Sequence, residues 1–237
     1  MPSFAVILPA AGQSSRFGGT EKKPFLLLDG MPIWQQSAEL FCHRPDVVKV
    51  CVVVSPDDRK QFESRFGTVC QALAVEIISG GAERFESVAK ALATIPDIVD
   101  FVAVHDAVRP LLTQQGIDAV FSTAVVHGAA MLGTPVVDTI KRVEGALNRI
   151  IETVPRAGLW AAQTPQVFRR DWLVDAYAWR HIFDGAITDD AQLMEAQGHA
   201  VVMVPSSPTN FKITTPWDYE LAGLILRARN AVPRITL

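Results

Sequence analysis

No apolar run in this 237-residue chain approaches the roughly 20 residues needed to cross a bilayer, although hydrophobic residues make up 49% of it. A membrane helix is excluded, and the expectation is a soluble globular protein. Cysteine is scarce. Cys42, Cys51 and Cys70 are odd in number and lack CxxC spacing, which argues against a disulfide framework or a zinc site and for buried thiols. Excess positive charge is also missing: 22 Lys and Arg against 25 Asp and Glu leave a net charge of -3. Nucleic acid therefore feels no global attraction, and any polyanion must be met by local cations. The five tryptophans are scattered rather than interleaved with basic residues, so base stacking is not expected either. The opening MPSFAVILPA has no cationic leader, and the expected compartment is the cytoplasm.

What is present is a rhythm. Short β-branched runs at 4–8, 48–54, 74–78, 99–104 and 129–136 alternate with helical periods near 32–43, 57–66, 83–94 and 114–126. Continuous apolar strands separated by helices predict an α/β fold, a doubly wound, mainly parallel sheet sandwich. The segment 136–157 breaks this rhythm. It alternates through Val137, Thr139, Lys141 and Val143 around EGALN, which predicts a β-hairpin. Two strands alone are marginal in water, so this arm is expected to pack on a second copy of the chain. Helices are expected at 169–183, 189–198 and after Thr215, which can cap Pro216 onward, with a short strand in HAVVMVP. No repeat or linker interrupts residues 1–237, and a single domain with a projecting arm is expected.

In such sheets ligands sit beyond the carboxyl ends of the strands. There the chain places AAGQSSRFGG, SGGAER and HDAVRP. The first cluster continues to Lys22 and Lys23. Glycine lets backbone N–H groups approach an anion, and cations complete the neutralisation. Yet the stretch matches neither GxxxxGK[ST] nor GxGxxG. From its residues alone it reads equally well as a phosphate-binding loop or a solvated turn.

The ordered set LPAAGQSSRFG, KKPF, GGAERFESV, HDAVRP, PVVDTIKR, TVPRAGLW, TPQVF and NFKITTPWD, running from residue 8 to residue 218, resembles the 2-C-methyl-D-erythritol 4-phosphate cytidylyltransferase family. The resemblance implies transfer of CMP from CTP to a polyol phosphate, with Mg²⁺ as cofactor and a homodimer formed through the arm. It implies that Arg16 and Lys23 hold the triphosphate, with the backbone of Ala10, Ala11 and Gly12 against the nucleotide and Lys212 at the α-phosphate. Gly80, Gly81, Ala82 and Ser87 match the family's cytosine and ribose segment. Ala82 stands where some relatives carry an acid, so base recognition there would rest on backbone groups. Asp106 would bind Mg²⁺ and substrate hydroxyls, oriented by Arg109. The acceptor maps to Thr139, Arg156 and Thr188, with Arg156 acting in the partner's site, and Thr164 and Gln166 shaping the wall. Thr188 is also expected to cap the helix after it, and Lys22 to be a solvated neighbour. His105 needs no role as a base, because the attacking phosphate is already ionised at neutral pH. A ribitol 5-phosphate cytidylyltransferase is the nearest alternative. A nucleotide-binding regulator without turnover is a further one.

Overall fold

The computed structural model describes residues 1–12, 22–180 and 187–231. The first apolar run is strand β1 (Phe4–Pro9), and a short 3-10 turn (Lys23–Phe25) leads into the two-residue strands β2 (Leu27–Leu28) and β3 (Met31–Pro32). The α/β alternation then runs through α1 (Ile33–Cys42), β4 (Val47–Val54), α2 (Arg59–Ala72), β5 (Val75–Ser79), α3 (Arg84–Leu92), β6 (Phe101–Val104), α4 (Gln114–His127) and β7 (Ala129–Pro135). The arm supplies β8 (Ile140–Glu144) and β9 (Arg149–Val154). The chain continues with β10 (Trp160–Arg169), α5 (Arg170–Ala178), α6 (Asp190–Ala196), β11 (Val202–Pro205) and α7 (Pro216–Ala231).

Seven strands form one sheet in the order β11-β7-β10-β6-β1-β4-β5. Every neighbouring pair is parallel except those made by β10, which runs antiparallel to β6 and β7. Strand alternation explains the two cores. Phe4, Val6 and Leu8 of β1 face a layer built with Trp34, Phe41, Phe62 and Phe121, while Ala5 and Ile7 face one built with Val88, Leu173 and Met194. Each large side chain buried in this way contributes on the order of 1.5–3 kcal/mol. A third cluster, Leu28, Ile33, Leu111, Ile213 and Ala222, seats α7 against the mouth of the sheet.

Three expectations need adjustment. Strand β10 is absent from the strands expected above, and it carries an internal proline, uncommon in a central strand. The ladder accommodates it: the β10–β7 register shifts between Ala162 and Gln166, around Pro165. Helix α2 extends to Ala72 rather than ending at 66. Asp189, not Thr188, caps α6, its carboxylate accepting from Gln192 N at 3.1 Å, while Thr188 bonds the Gln192 side chain. The expected arm forms as an antiparallel hairpin, with Ile140 opposite Val154. Its apolar side chains Val143, Leu147, Ile150 and Ile151 are exposed.

Candidate active site

Two adjoining cavities open at the carboxyl ends of the parallel strands. One, of about 460 Å³, is lined by Ala10, Ala11 and Gly12 after β1, Lys23 on the 3-10 turn, Gly81, Ala82 and Ser87 after β5, and Asp106 after β6. The other, of about 240 Å³, is lined by Gln163, Thr164, Gln166, Thr188 and Asp189. Arg84, Asp106 and Lys212 belong to both. Of the residues expected from the sequence, Arg16 lies outside the described residues. Thr139 and Arg156 are exposed on the arm and line neither cavity.

The motif KKPF explains how Lys23 reaches the cavity. Pro24 presets the turn, and Phe25 inserts among aromatic side chains, with ring centroids 5.4 Å from Phe62 and 6.1 Å from Phe66. On its other flank, Lys22 is no solvated neighbour. Its ammonium lies 2.5 Å from Asp58 Oδ2 and 3.2 Å from Ser55 Oγ. Anchored on both sides, Lys23 is only 8% exposed.

The glycine turn keeps only part of its backbone open to a ligand. Its N–H groups are already engaged: Gly80 N donates to Val54 O at 2.7 Å, Gly81 N to Ser87 Oγ at 3.1 Å and Ala82 N to Glu86 Oε2 at 2.7 Å. Among the described residues nothing donates to the carbonyls of Gly81 and Ala82. The turn therefore offers acceptors to a ligand. Gly80 sits beneath the cavity rather than in its wall, and a β-carbon there would lie 2.6 Å from Ser87 Oγ. Lys90 closes the turn from behind, donating to Gly80 O at 2.7 Å. Glu83 caps α3.

Asp106 is the electrostatic centre. Arg109 Nε donates to its Oδ2 at 3.1 Å, Lys212 Nζ stands 3.3 Å from the same oxygen, and Arg84 Nε stands 3.8 Å from Oδ1. Burial pushes the carboxyl pKa up, but Lys212, Arg84 and Arg109 outweigh it and hold the group well below the usual carboxylate range. Arg109 also fixes the strap that carries Lys212, its Nη1 donating to Asn210 O at 2.8 Å. Asn210 Nδ2 binds Thr164 O at 2.9 Å and Gln163 Oε1 at 3.0 Å, and Ile213 N binds Val108 O at 2.9 Å. The residues of NFKITTPWD thus divide the labour: Asn210 ties the strap down, Lys212 supplies charge, and Asp218 gathers Thr214 and Thr215 at the start of α7.

Among the described residues no group of three or more His, Cys, Asp or Glu converges as a metal cage. Mg²⁺ asks for less, one or two carboxylates together with substrate phosphates and water. Asp106 fits, since no described residue donates a hydrogen bond to its Oδ1.

Arg84 and Gln163 also line the cavities and Asn210 supports them, none of them marked as such by the sequence. Arg84 follows a glycine turn and opens a helix, which disguises it as a first-turn residue. Gln163 is carried inward by the register shift at Pro165, which no local pattern reveals. Thr164 and Gln166 do form wall, as expected. The Thr164 hydroxyl also accepts from Asp106 N at 3.0 Å.

His105 is fully buried, with Nε2 3.2 Å from Arg109 O and Nδ1 3.1 Å from Thr164 Oγ1. A carbonyl only accepts, so Nε2 carries the proton and the Thr164 hydroxyl donates to Nδ1. Burial, aided by Arg109 and opposed by Asp106, pushes the ring pKa down to about 4. The neutral ring is structural, and its stabilisation is complete above pH 6.5 and drains away as pH falls from 6.5 toward 4. Urea unfolding at pH 7 and pH 4.5 should show wild type losing on the order of 2 kcal/mol more than His105→Gln over that interval. Equal losses in the two proteins would exclude His105 as the titrating group.

The sequence profile of the 2-C-methyl-D-erythritol 4-phosphate cytidylyltransferase family matches residues 4–228. A protein of that name from Rhodopirellula baltica is 40% identical over 235 residues, covering 94% of this chain and 95% of that one. Another, from Bacillus velezensis, is 39% identical over 228 residues, covering 96% and 97%. The crystal structure of 2-C-methyl-D-erythritol 4-phosphate cytidylyltransferase from Thermus thermophilus superposes with a TM-score of 0.79 at 31% identity, covering 96% of this chain and 100% of that one. A profile match across nearly the whole chain, joined to a cation-ringed cleft at the strand ends, establishes that this chain belongs to the 2-C-methyl-D-erythritol 4-phosphate cytidylyltransferase family.

Proposed function

We propose that the chain transfers CMP from CTP to 2-C-methyl-D-erythritol 4-phosphate, giving 4-diphosphocytidyl-2-C-methyl-D-erythritol and pyrophosphate. The observation that carries this reading is the pair of cavities meeting at Arg84, Asp106 and Lys212. CTP fills the larger, with its base against the glycine turn and its triphosphate toward Lys23. The acceptor fills the smaller, against Thr188 and Thr164. A cytosine amino group donates, whereas the corresponding uracil oxygen accepts. Carbonyls left open at Gly81 and Ala82 therefore favour cytosine, and the Ser87 hydroxyl remains able to donate toward the nucleotide.

An oxygen of the acceptor phosphate attacks the α-phosphorus of CTP, and the bond to the bridging oxygen breaks as pyrophosphate leaves. The attacking monoester is largely dianionic at neutral pH, so no side chain needs to remove a proton. The difficulty is charge: two anions approach and more negative charge gathers on the leaving group. Fixed cations in a desolvated cleft counter this. Lys23 faces the leaving phosphates and Lys212 the α-phosphate, and the family motif assigns Arg16 to the same triphosphate. Asp106 would hold Mg²⁺, which when bound supplies further neutralisation of the phosphate oxygens. Thr139 and Arg156 complete the acceptor site from a second copy. The exposed apolar residues of the arm, Val143, Leu147, Ile150 and Ile151, supply the surface for that homodimer.

Purified protein with Mg²⁺ and CTP should release pyrophosphate far faster with 2-C-methyl-D-erythritol 4-phosphate than with ribitol 5-phosphate, and EDTA should abolish the reaction until Mg²⁺ is restored. The opposite acceptor preference would overturn the assignment, and turnover with neither acceptor would favour a regulatory nucleotide-binding protein. Lys23→Ala and Arg16→Ala should each lower turnover at least about a hundredfold; near-wild-type rates in both would remove the triphosphate role. Sedimentation at micromolar concentration should give a dimer, and a monomer alone would rule out the shared acceptor site.

A further inference from the structure

We infer that Arg84 is a further catalytic residue, a guanidinium held by Asp190 at the junction of the two cavities so that its remaining N–H groups bind the phosphoryl oxygens in transfer. The inference rests on the proposed CTP chemistry.

Arg84 opens α3, directly after the glycine turn. Its Nη2 donates to Asp190 Oδ2 at 2.8 Å. Asp190 is completely buried and cannot swing. Tyr177 OH donates to its Oδ1 at 2.5 Å, and its own N–H donates to Gln166 Oε1 at 3.1 Å. The guanidinium is thereby pinned at one nitrogen. Toward Asp106 it comes only to 3.8 Å, beyond hydrogen-bonding reach. Of five N–H donors, one is committed to a described residue. None of its nitrogens is sealed from solvent without a partner, so the uncommitted donors reach solvent on a side chain that lines both cavities.

A structural arginine between two carboxylates would be expected to spend its fork on both. Here the fork binds one carboxylate and keeps its other donors at the place where the α-phosphate meets its attacker. A guanidinium presents parallel donors to phosphate oxygens, whereas an ammonium is a point charge that cannot hold Asp190 and a phosphate together. The α3 N-terminus adds its positive dipole end.

Steady-state kinetics on the whole chain, with CTP, Mg²⁺ and 2-C-methyl-D-erythritol 4-phosphate, test this. An inactive wild type would remove the proposed function and the inference with it. An active wild type with kcat of Arg84→Gln within threefold would remove the inference alone. The expected result for Arg84→Gln is a fall in kcat of about 30- to 300-fold with KM for CTP changed by less than about threefold. Arg84→Lys keeps the charge but loses the fork, and kcat should still fall about tenfold. Asp190→Asn keeps the guanidinium but removes one of the two acceptors at position 190, and it should cost less than Arg84→Gln. If Arg84→Lys runs at wild-type rates while Asp190→Asn is as impaired as Arg84→Gln, the residue only clamps α6 and the inference is overturned. Should Arg84→Gln fail to fold, Arg84→Lys decides by itself: a tenfold loss supports the contact, and an unchanged kcat overturns it.

Discussion

A carboxylate at the end of a buried central strand has to be compensated, and the site is arranged around that need. Asp106 leaves β6 among side chains with almost no solvent. An unpaired charge there would cost several kcal/mol. Compensation comes from three distant parts of the chain: Arg84 on α3, Arg109 in the loop after β6, and Lys212 on the strap before α7. Folding therefore brings three cations to one point. Arg84 is shared with Asp190, and the same cations line the cavities that a triphosphate and a phosphate monoester would enter. The same electrostatics that make the core acceptable make the cleft receptive to anions.

Rigidity is unevenly distributed around this centre. Lys23 rides on a turn gripped by Phe25 on one side and by the Lys22–Asp58 pair on the other. The Lys212 strap has no regular secondary structure, yet Asn210, Arg109 and Ile213 tie it to neighbouring loops. Hydrogen bonds across long sequence separations do here what a helix or strand would otherwise do. The arm is different, a two-stranded ladder whose side chains are mostly exposed. Groups that must meet charge within the chain are fixed within it, and Thr139 and Arg156 stand apart on the arm.

Much of the molecule could be read before any coordinates. Apolar runs alternating with helical periods marked the parallel sheet, and broken periodicity with EGALN marked the hairpin. What stayed hidden depended on long-range pairing. Strand β10 carries Pro165 at a break in its ladder with β7, which no local pattern in the sequence marks. Lys22 looked solvated because its partner, Asp58, lies 36 residues away. The glycine turn was legible as a turn, but not as one whose N–H groups are spent on Ser87 and Glu86. Ordered motifs supplied what periodicity could not, since they encode contacts between distant segments without describing them.

The placement of β10 also governs the order in which the sheet can be completed. This strand lies between β6 and β7, yet it is synthesised after both and after the whole hairpin. Until residue 169 has left the ribosome, the edges of β6 and β7 that β10 will occupy are unpaired. Such edges are templates for pairing with other chains. Growth from the amino end thus produces a half-sheet, β6-β1-β4-β5, that can consolidate early. Closure then waits for a late antiparallel insertion with long sequence separations, a slow kind of step. The segment that lines the smaller cavity, Gln163 to Gln166, arrives with that insertion, so a nascent chain acquires its second cavity only when its sheet becomes continuous.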